Sequence, residues 1–336
     1  MEQTNPIYGR RLQLRIVCAP TTPGALGLEE ILIEQDGFKP NPLRIVFDIN
    51  YPGLEAFFIS EIVIYNLAGD TRVQIIQEGA RVFLSAGYVN GQFGQIFSGY
   101  VFQSLLQREN VTDFKLTLRC IDGYKLFDNN FTAFALKKEY TQETLVNEVA
   151  LRSQTPIPIG GKSPQLNKIP YSRGTVAFGN PAKLLREITR WQGAYECGNT
   201  QMYFKDQQLY IVKLTDTMKP NPVTISPEKG GLLGTPQQTD YGVSFRCLLN
   251  PTLMLSFPPM GVKLDMVVVQ QRKVEQMQLL GTLDLTGVHR IIGVRHTGDT
   301  RGDPWYTDVT TVSAGGAIPN QLYLPSMLKE YGQGGT

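Results

Sequence analysis

Histidine is nearly absent from this chain, with two in 336 residues, His289 and His296. Cysteine is scarce as well: there are four, and no Cys-x-x-Cys pair among them. Zinc sites are built from closely spaced Cys and His ligands, and neither that spacing nor His-x-x-x-His occurs. The two histidines stand seven positions apart. On an unbroken strand an odd separation sends side chains to opposite faces, so they are not expected to share a metal. Asp299 and Asp303 lie in one short stretch but lack the Asp-x-Asp-x-Asp-Gly order of a calcium loop. No metal and no other cofactor is expected.

An excess of one charge is also missing. Lys and Arg number 32 against 30 Asp and Glu, and no basic stripe breaks the balance. A specific grip on nucleic acid needs such a stripe to neutralise phosphates, so none is expected. Long apolar runs are lacking, and the opening "MEQTNPIYGRRLQLRIV" carries no signal core. The expectation is a soluble protein, made without export and without stable membrane insertion. In a reducing compartment all four cysteines should stay reduced. Cys18, Cys120 and Cys247 each continue an alternating apolar strand pattern, where a thiol acts as a small hydrophobe; Cys197 sits in a Cys-Gly-Asn turn.

Motifs of catalysis are equally thin. There is no Gly-x-Ser-x-Gly elbow and no His-Glu-x-x-His. "GGKS" at Gly160 to Ser163 imitates the end of a phosphate loop. Pro156 replaces the first glycine, and Pro164 blocks the helix that would hold the phosphate, so the stretch reads as a linker. Carboxylates are plentiful, but no pair stands out for glycosidase work. The sequons at Asn110 and Asn130 carry no weight without export.

What the sequence does hold is strands. "RRLQLRIVCA" and "DFKLTLRCI" alternate with period two, and "PLRIVFDIN", "AFFISEIVIYNL", "TRVQIIQ" and "ARVFLSAGYV" lie between them. Asn90-Gly91 favours a tight hairpin turn. Two helices follow: "TQETLVNEVALRS", capped by Thr141, with Leu145, Val146, Val149 and Ala150 as its apolar stripe, and "NPAKLLREITRWQG". The second has Asn180 as cap, Pro181 at its first position, Gly193 at its end, and Leu184, Leu185, Ile188 and Trp191 facing inward. A hairpin, "QMYFKDQQLYIVKL", completes an α+β insert. Strands then return in "YGVSFRCLLN", "GVKLDMVVV", "GVHRIIGVRH" and "YTDVTTVSA".

The second strand series echoes the first. Gly79-Ala80-Arg81 answers Gly261-Val262-Lys263, Gly99 answers Gly287, and Asn66 and Asn250 each end a strand. This predicts a mainly β fold with an α+β insert, built on two related antiparallel β-barrels. The expected domains are residues 1–135, a first barrel; 136–220, the α+β middle; 221–315, a second barrel; and 316–336, a tail. In this frame "RHTGDTRGDPWYTD" becomes the tip of a long hairpin, the place that "LLQRENVTDFK" holds in the first barrel. Its Arg-Gly-Asp triplet is explained by turn chemistry, with Gly302 free to take positive φ and Pro304 ending the loop.

The stretch "IYNLAGDTRVQIIQEGARVFLSAGYVNGQFGQIFSGYVFQS" resembles the first tube-like domain of baseplate hub proteins from contractile-tailed bacteriophages. "LTLRCIDGYKLFDNNFTAFALKKEYTQETLVNEVA" is similar to their passage into the middle region. "GGLLGTPQQTDYGVSFRCLLNPTLMLSF" and "RHTGDTRGDPWYTDV" resemble their second barrel. The resemblance implies a homotrimer presenting a ring of six barrels in the virion tail, made in the host cytoplasm. It further implies docking to a tail tube protein on one side and a central spike protein on the other, with other baseplate proteins and the tape-measure protein as neighbours. DNA would pass through the bore, and no catalytic residues carry over. Asp299, Arg301, Asp303, Trp305 and Tyr306 then become a rim contact, with Trp305 as core of its own barrel the alternative. Two other readings stay open: a β-rich cell-wall hydrolase with carboxylates in the insert, and a tail-fibre or receptor-binding module using the loop from Arg301 to Asp303.

Overall fold

Alternation makes the first strand. In β1 (Arg10–Cys18) Leu12, Leu14, Ile16 and Cys18 all turn inward, and the residues between them stay nearer solvent. The computed structural model describes residues 9–18, 28–36, 43–52, 58–69, 71, 79–123, 130–166, 168–190, 200–228, 231–239, 242–265, 269 and 287–313. The first β unit continues through β2 (Glu29–Gln35), β3 (Ile45–Tyr51), β4 (Ser60–Tyr65), β5 (Arg81–Tyr88), β6 (Phe93–Arg108) and β7 (Phe114–Ile121). Its strands lie side by side in the order β3-β4-β7-β6-β5-β1-β2, every pair antiparallel. Asn90-Gly91 sits in the predicted β5–β6 turn, closed by Tyr88 N–H donating to Gln92 O at 3.1 Å. "TRVQIIQ", apart from Thr71, lies outside the described residues.

The insert holds β8 (Thr132–Leu136), α1 (Gln142–Arg152), β9 (Ile159–Lys162), β10 (Thr175–Gly179), α2 (Pro181–Arg190), β11 (Thr200–Lys205) and β12 (Gln208–Lys213). Thr141 caps α1, its hydroxyl accepting from Thr144 N–H, and Val146, Val149 and Ala150 are buried as the stripe predicts. Asn180 caps α2, accepting from Ala182 N–H at 2.9 Å, with Leu185 fully buried; Trp191, Gly193 and Cys197 lie outside the described residues. The linker reading of "GGKS" is corrected. Gly160 to Lys162 belong to β9, which runs parallel to β12. A Cβ on Gly160 would collide with Tyr210, and one on Gly161 with Phe257, so these glycines serve close packing.

The second β unit comprises β13 (Val223–Ile225), β14 (Leu232–Gln238), β15 (Val243–Leu248), β16 (Gly261–Leu264), β17 (Val288–Asp299) and β18 (Trp305–Ser313). Its order, β14-β15-β18-β17-β16-β13, repeats β3-β4-β7-β6-β5-β1 strand for strand. The registers agree too. Arg81 faces Tyr100 as Gly261 faces Arg290, and Val101 N–H donates to Ala80 O as Ile291 N–H donates to Met260 O. The counterpart of Arg81 is therefore Gly261, two residues before the Lys263 that the sequence echo suggests. Tyr65 N–H donates to Arg44 O as Leu248 N–H donates to Gly231 O, and Asn66 N–H reaches Phe114 O as Leu249 N–H reaches Trp305 O. The counterpart of Asn66 is therefore Leu249, one residue before the Asn250 that the sequence echo suggests. The repeat has one reversal: β1 is antiparallel to β5, whereas β13 is parallel to β16.

Burial falls into three clusters, one under the first β unit, one under the insert and one under the second unit. Leu249 and Trp305, from the second strand series, belong to the first cluster. Cys18, Cys120 and Cys247 are buried free thiols.

Candidate interface at the hairpin tips

The β17–β18 hairpin ends in residues 300–304, but Gly302 does not take the positive φ expected of it; its place in the turn rests on close packing instead. Its surroundings are the finding. The near end of β17 pairs with β16. Beyond the reach of that short strand, Val294 to Asp299 pair with Tyr51 to Val46 of β3 in the first unit. One ladder thus joins the two units into a single sheet.

The tip extends that join. Thr300 N–H donates to Ile45 O at 3.0 Å, while its hydroxyl accepts from Ile45 N–H at 2.9 Å and donates to Leu43 O at 3.1 Å. Arg10, from β1, donates to the carbonyls of Asp299 at 2.7 Å, Asp303 at 3.1 Å, and Gly302. Asp299 is 4% exposed, and its carboxylate accepts from Arg44 Nη2 at 2.8 Å and from Arg301 N–H at 2.9 Å. Burial opposes its charge, but Arg44 and the N–H groups of Arg301 and Gly302 outweigh that and hold the carboxyl below its ordinary range. Gly302 is required for this cradle: a Cβ there would stand 2.5 Å from Asp299 Oδ2.

Trp305 is 3% exposed. Its ring meets Phe47 edge-on at 5.4 Å, and its Nε1–H donates to Gly87 O at 3.2 Å. It is a core residue, but of the first unit and not of its own. Tyr306 is half-buried beneath Arg246, whose guanidinium lies 3.9 Å over the ring and pairs with Asp308 at 2.6 Å. Arg301 and Asp303 point outward. Of the five residues expected at a rim, Asp299 and Trp305 are thus used inside the chain, and Arg301 and Asp303 lie on its surface.

The parity reading of the histidines is corrected. A bulge at Ile292 shifts the β17 register, so His289 faces Ser313 and His296 faces Thr307, an even separation on the partner strand. Both therefore lie on one side of the sheet, but about 20 Å apart at the usual strand rise. Among the described residues no group of His, Cys, Asp or Glu could hold a metal. His296 is fully buried, with Nδ1 2.9 Å from Thr307 Oγ1, and burial pushes its pKa down to about 3.

Sequence reasoning missed Asp122. Its buried carboxylate accepts from Asp206 N–H at 2.8 Å and Gln207 N–H at 2.9 Å, two residues in the left-handed region at φ 52° and 67°. Burial pushes its pKa up to about 7. Shifted carboxyls mark candidate active sites, but the adjoining cavity of about 20 Å³ has room for little more than one water. Asp122 organises a turn that clamps the insert to the first unit; only the position of its partners, eighty-odd residues away, could have revealed it.

The equivalent tip of the first unit, residues 109–113 between β6 and β7, is closed by side chains of that same unit. Asn110 Oδ1 accepts from Thr112 N–H at 2.8 Å and Asp113 N–H at 2.7 Å. Asn66 donates to Asp113 Oδ1 at 2.8 Å and accepts from Phe114 N–H at 3.0 Å. Apolar side chains stand out around it: Val111 is 82%, Leu106 45% and Phe114 37% exposed.

Comparison with known proteins adds context. The family model described as "Baseplate hub gp41" matches residues 56–265. Among solved structures, the chain is similar to the E. coli c3393 protein, a type VI secretion component described as resembling T4 bacteriophage tail proteins gp27 and gp5, at TM-score 0.53 and 9% identity over 82% of this chain and 75% of that one. It is also similar to a 43 kDa tail protein of prophage MuSo2 from Shewanella oneidensis, at TM-score 0.52 and 9% identity over 92% and 99% of the two chains. A tail protein from Neisseria meningitidis MC58 gives TM-score 0.52 and 11% identity over 91% and 97%. No curated protein sequence matches the chain.

Proposed function

The chain belongs to the baseplate hub gp41 family, and on that premise we propose that it is a ring-forming adaptor, a homotrimer between the six-fold tail tube and the three-fold central spike. A structural role in the phage baseplate follows from the family; the three-fold stoichiometry and the partners are our own reading. One observation carries it: two β units with the same strand order are joined edge to edge in one sheet. Three such chains supply six similar units, and closed rings require repeated, compatible edges.

In this reading the tube protein docks on one rim and the spike on the other, with further baseplate proteins and the tape-measure protein around them. DNA passes the bore without specific contacts, in keeping with the balance of 32 basic and 30 acidic residues. The work is mechanical and not catalytic, and the tip residues serve docking and not cell attachment.

Static light scattering of the full chain across a concentration series, alone and with the spike protein, tests the proposal. A mass of three times the 37.5 kDa chain is expected. A dimer or tetramer, or a monomer that the spike leaves monomeric, overturns it.

A further inference from the structure

The geometry points to a specific join between copies: the open far half of β6 in one chain receives the β14 edge of a second copy of the same chain. This rests on the ring reading above and adds to it which strands meet and in what register.

The chain already contains one such join. In the second unit β17 spends its near end on β16 and its far half, Val294 to Asp299, on β3 of the first unit. In the first unit β6 spends Phe93 to Tyr100 on β5. Beyond that, among the described residues, Leu105 to Arg108 pair with β7 on one side and with no strand on the other. The counterpart of β3 is β14, which ends the sheet and pairs with β15 alone among the described residues. Two units in one chain make the β3–β17 type of join once. The matching halves, β6 and β14, are left over at opposite members of the repeat, and only another copy offers the complementary edge.

Apolar exposure marks the same two edges independently. Leu106 and Phe114 flank the open half of β6, and Leu233, 39% exposed, lies on β14. Phe114 opens β7 as Trp305 opens β18; Trp305 is 3% exposed against the neighbouring unit, whereas Phe114 is 37% exposed. Exposed apolar edges template strand pairing. Pro236, which cannot donate, falls in the β14 bulge between Leu233 and Gln237, opposite Arg108 in the register below, and the pairing rests on Gln237 and Gln238 beside it.

The register follows from the repeat. Thr297 faces Asp48; their counterparts, by the pairings with β7 and β15, are Gln107 and Gln237. These neutral amides should face each other across the join, with Leu106 opposite Gln238.

The test is oxidation of a Gln107→Cys, Gln237→Cys double variant of the full chain in a Cys197→Ser background. Disulfide-linked multimers ending at three chains are expected. Moving the first cysteine one strand inward, as Lys115→Cys, should abolish them, and Asp48→Cys with Thr297→Cys should give the matching link within one chain. A trimer by light scattering that shows no Gln107–Gln237 link overturns the pairing and spares the ring. A monomer with or without spike overturns both. In parallel, Phe114→Asp changes an exposed position and should leave the chain folded by circular dichroism while dissociating the trimer; a trimer that persists counts against the join.

Discussion

The β6–β7 and β17–β18 hairpins are built alike and end differently. Each tip spans residues between strands of matching register, 109–113 in one and 300–304 in the other. One is held within its own unit, through Asn110 and through Asn66 after β4. The other is held from outside, through Arg10, Arg44 and the backbone of β3. The difference teaches why the charged stretch looks like a site. Its aspartate and tryptophan are there to fit another unit, and a loop composed for docking resembles a loop composed for chemistry. Asp299 is an acceptor for a guanidinium, and Trp305 fills a neighbour's core.

The largest expected effect separates the two strand-opening residues. Trp305→Ala should cost about 3–5 kcal/mol, the usual range for emptying a packed aromatic site. Phe114→Ala, at 37% exposure, should cost under about 1 kcal/mol within a single chain. Urea midpoints over a dilution series read both. The Trp305 cost should be independent of concentration, while the Phe114 cost should grow where copies associate. Equal costs at every concentration would erase the contrast.

A second prediction sharpens it through pH. His296, fully buried on the docked half of β17, has the exposed Leu106 as its counterpart. Its folded pKa of about 3 lies below the unfolded value of about 6.5. Protons therefore bind the unfolded chain first. The stability this supplies is complete above about pH 6.5 and is lost as pH falls toward 3, at a slope of about 1.4 kcal/mol per unit. Asp299 adds loss only lower still, since its depressed carboxyl keeps its charge until the pH falls through its folded pKa. Denaturant melts from pH 7 to 4 should show the slope in the wild-type chain, and His296→Gln should flatten it. An unchanged slope in the variant would assign acid sensitivity elsewhere.

Much of this comparison was legible in the sequence. Alternation located β1 and β7, the caps Thr141 and Asn180 located both helices, and the return of a second strand series exposed the repeat, though the paired Gly-x-basic starts of β5 and β16 stand two residues out of step. What stayed hidden was whatever depends on partners distant in the chain. Nothing local tells Trp305 that its cavity lies beside Phe47, or places Gly160 under Tyr210. The Ile292 bulge adds one residue and reverses the parity of everything after it, which periodicity alone does not register. Composition drew attention to the docked tip; the open tip, with fewer distinctive residues, is the one left to make a contact.

The smallest effect concerns that open tip. Asn110 Oδ1 accepts from two backbone N–H groups, those of Thr112 and Asp113, in the manner of side chains that stand in for a backbone turn. All of this lies at the surface, so water replaces most of what is lost on Asn110→Ala. A cost of about 0.5–1 kcal/mol follows, too little to separate cleanly in a global melt. Amide hydrogen exchange resolves it locally. Protection at Thr112, Asp113 and Phe114 should fall in the variant, while the amides of Thr300 and Arg301, tied to β3 and to Asp299, keep theirs. Loss of protection at both tips together would mean that the hairpins are coupled through the sheet, and that the open tip is less independent of its docked counterpart than their separate fastenings indicate.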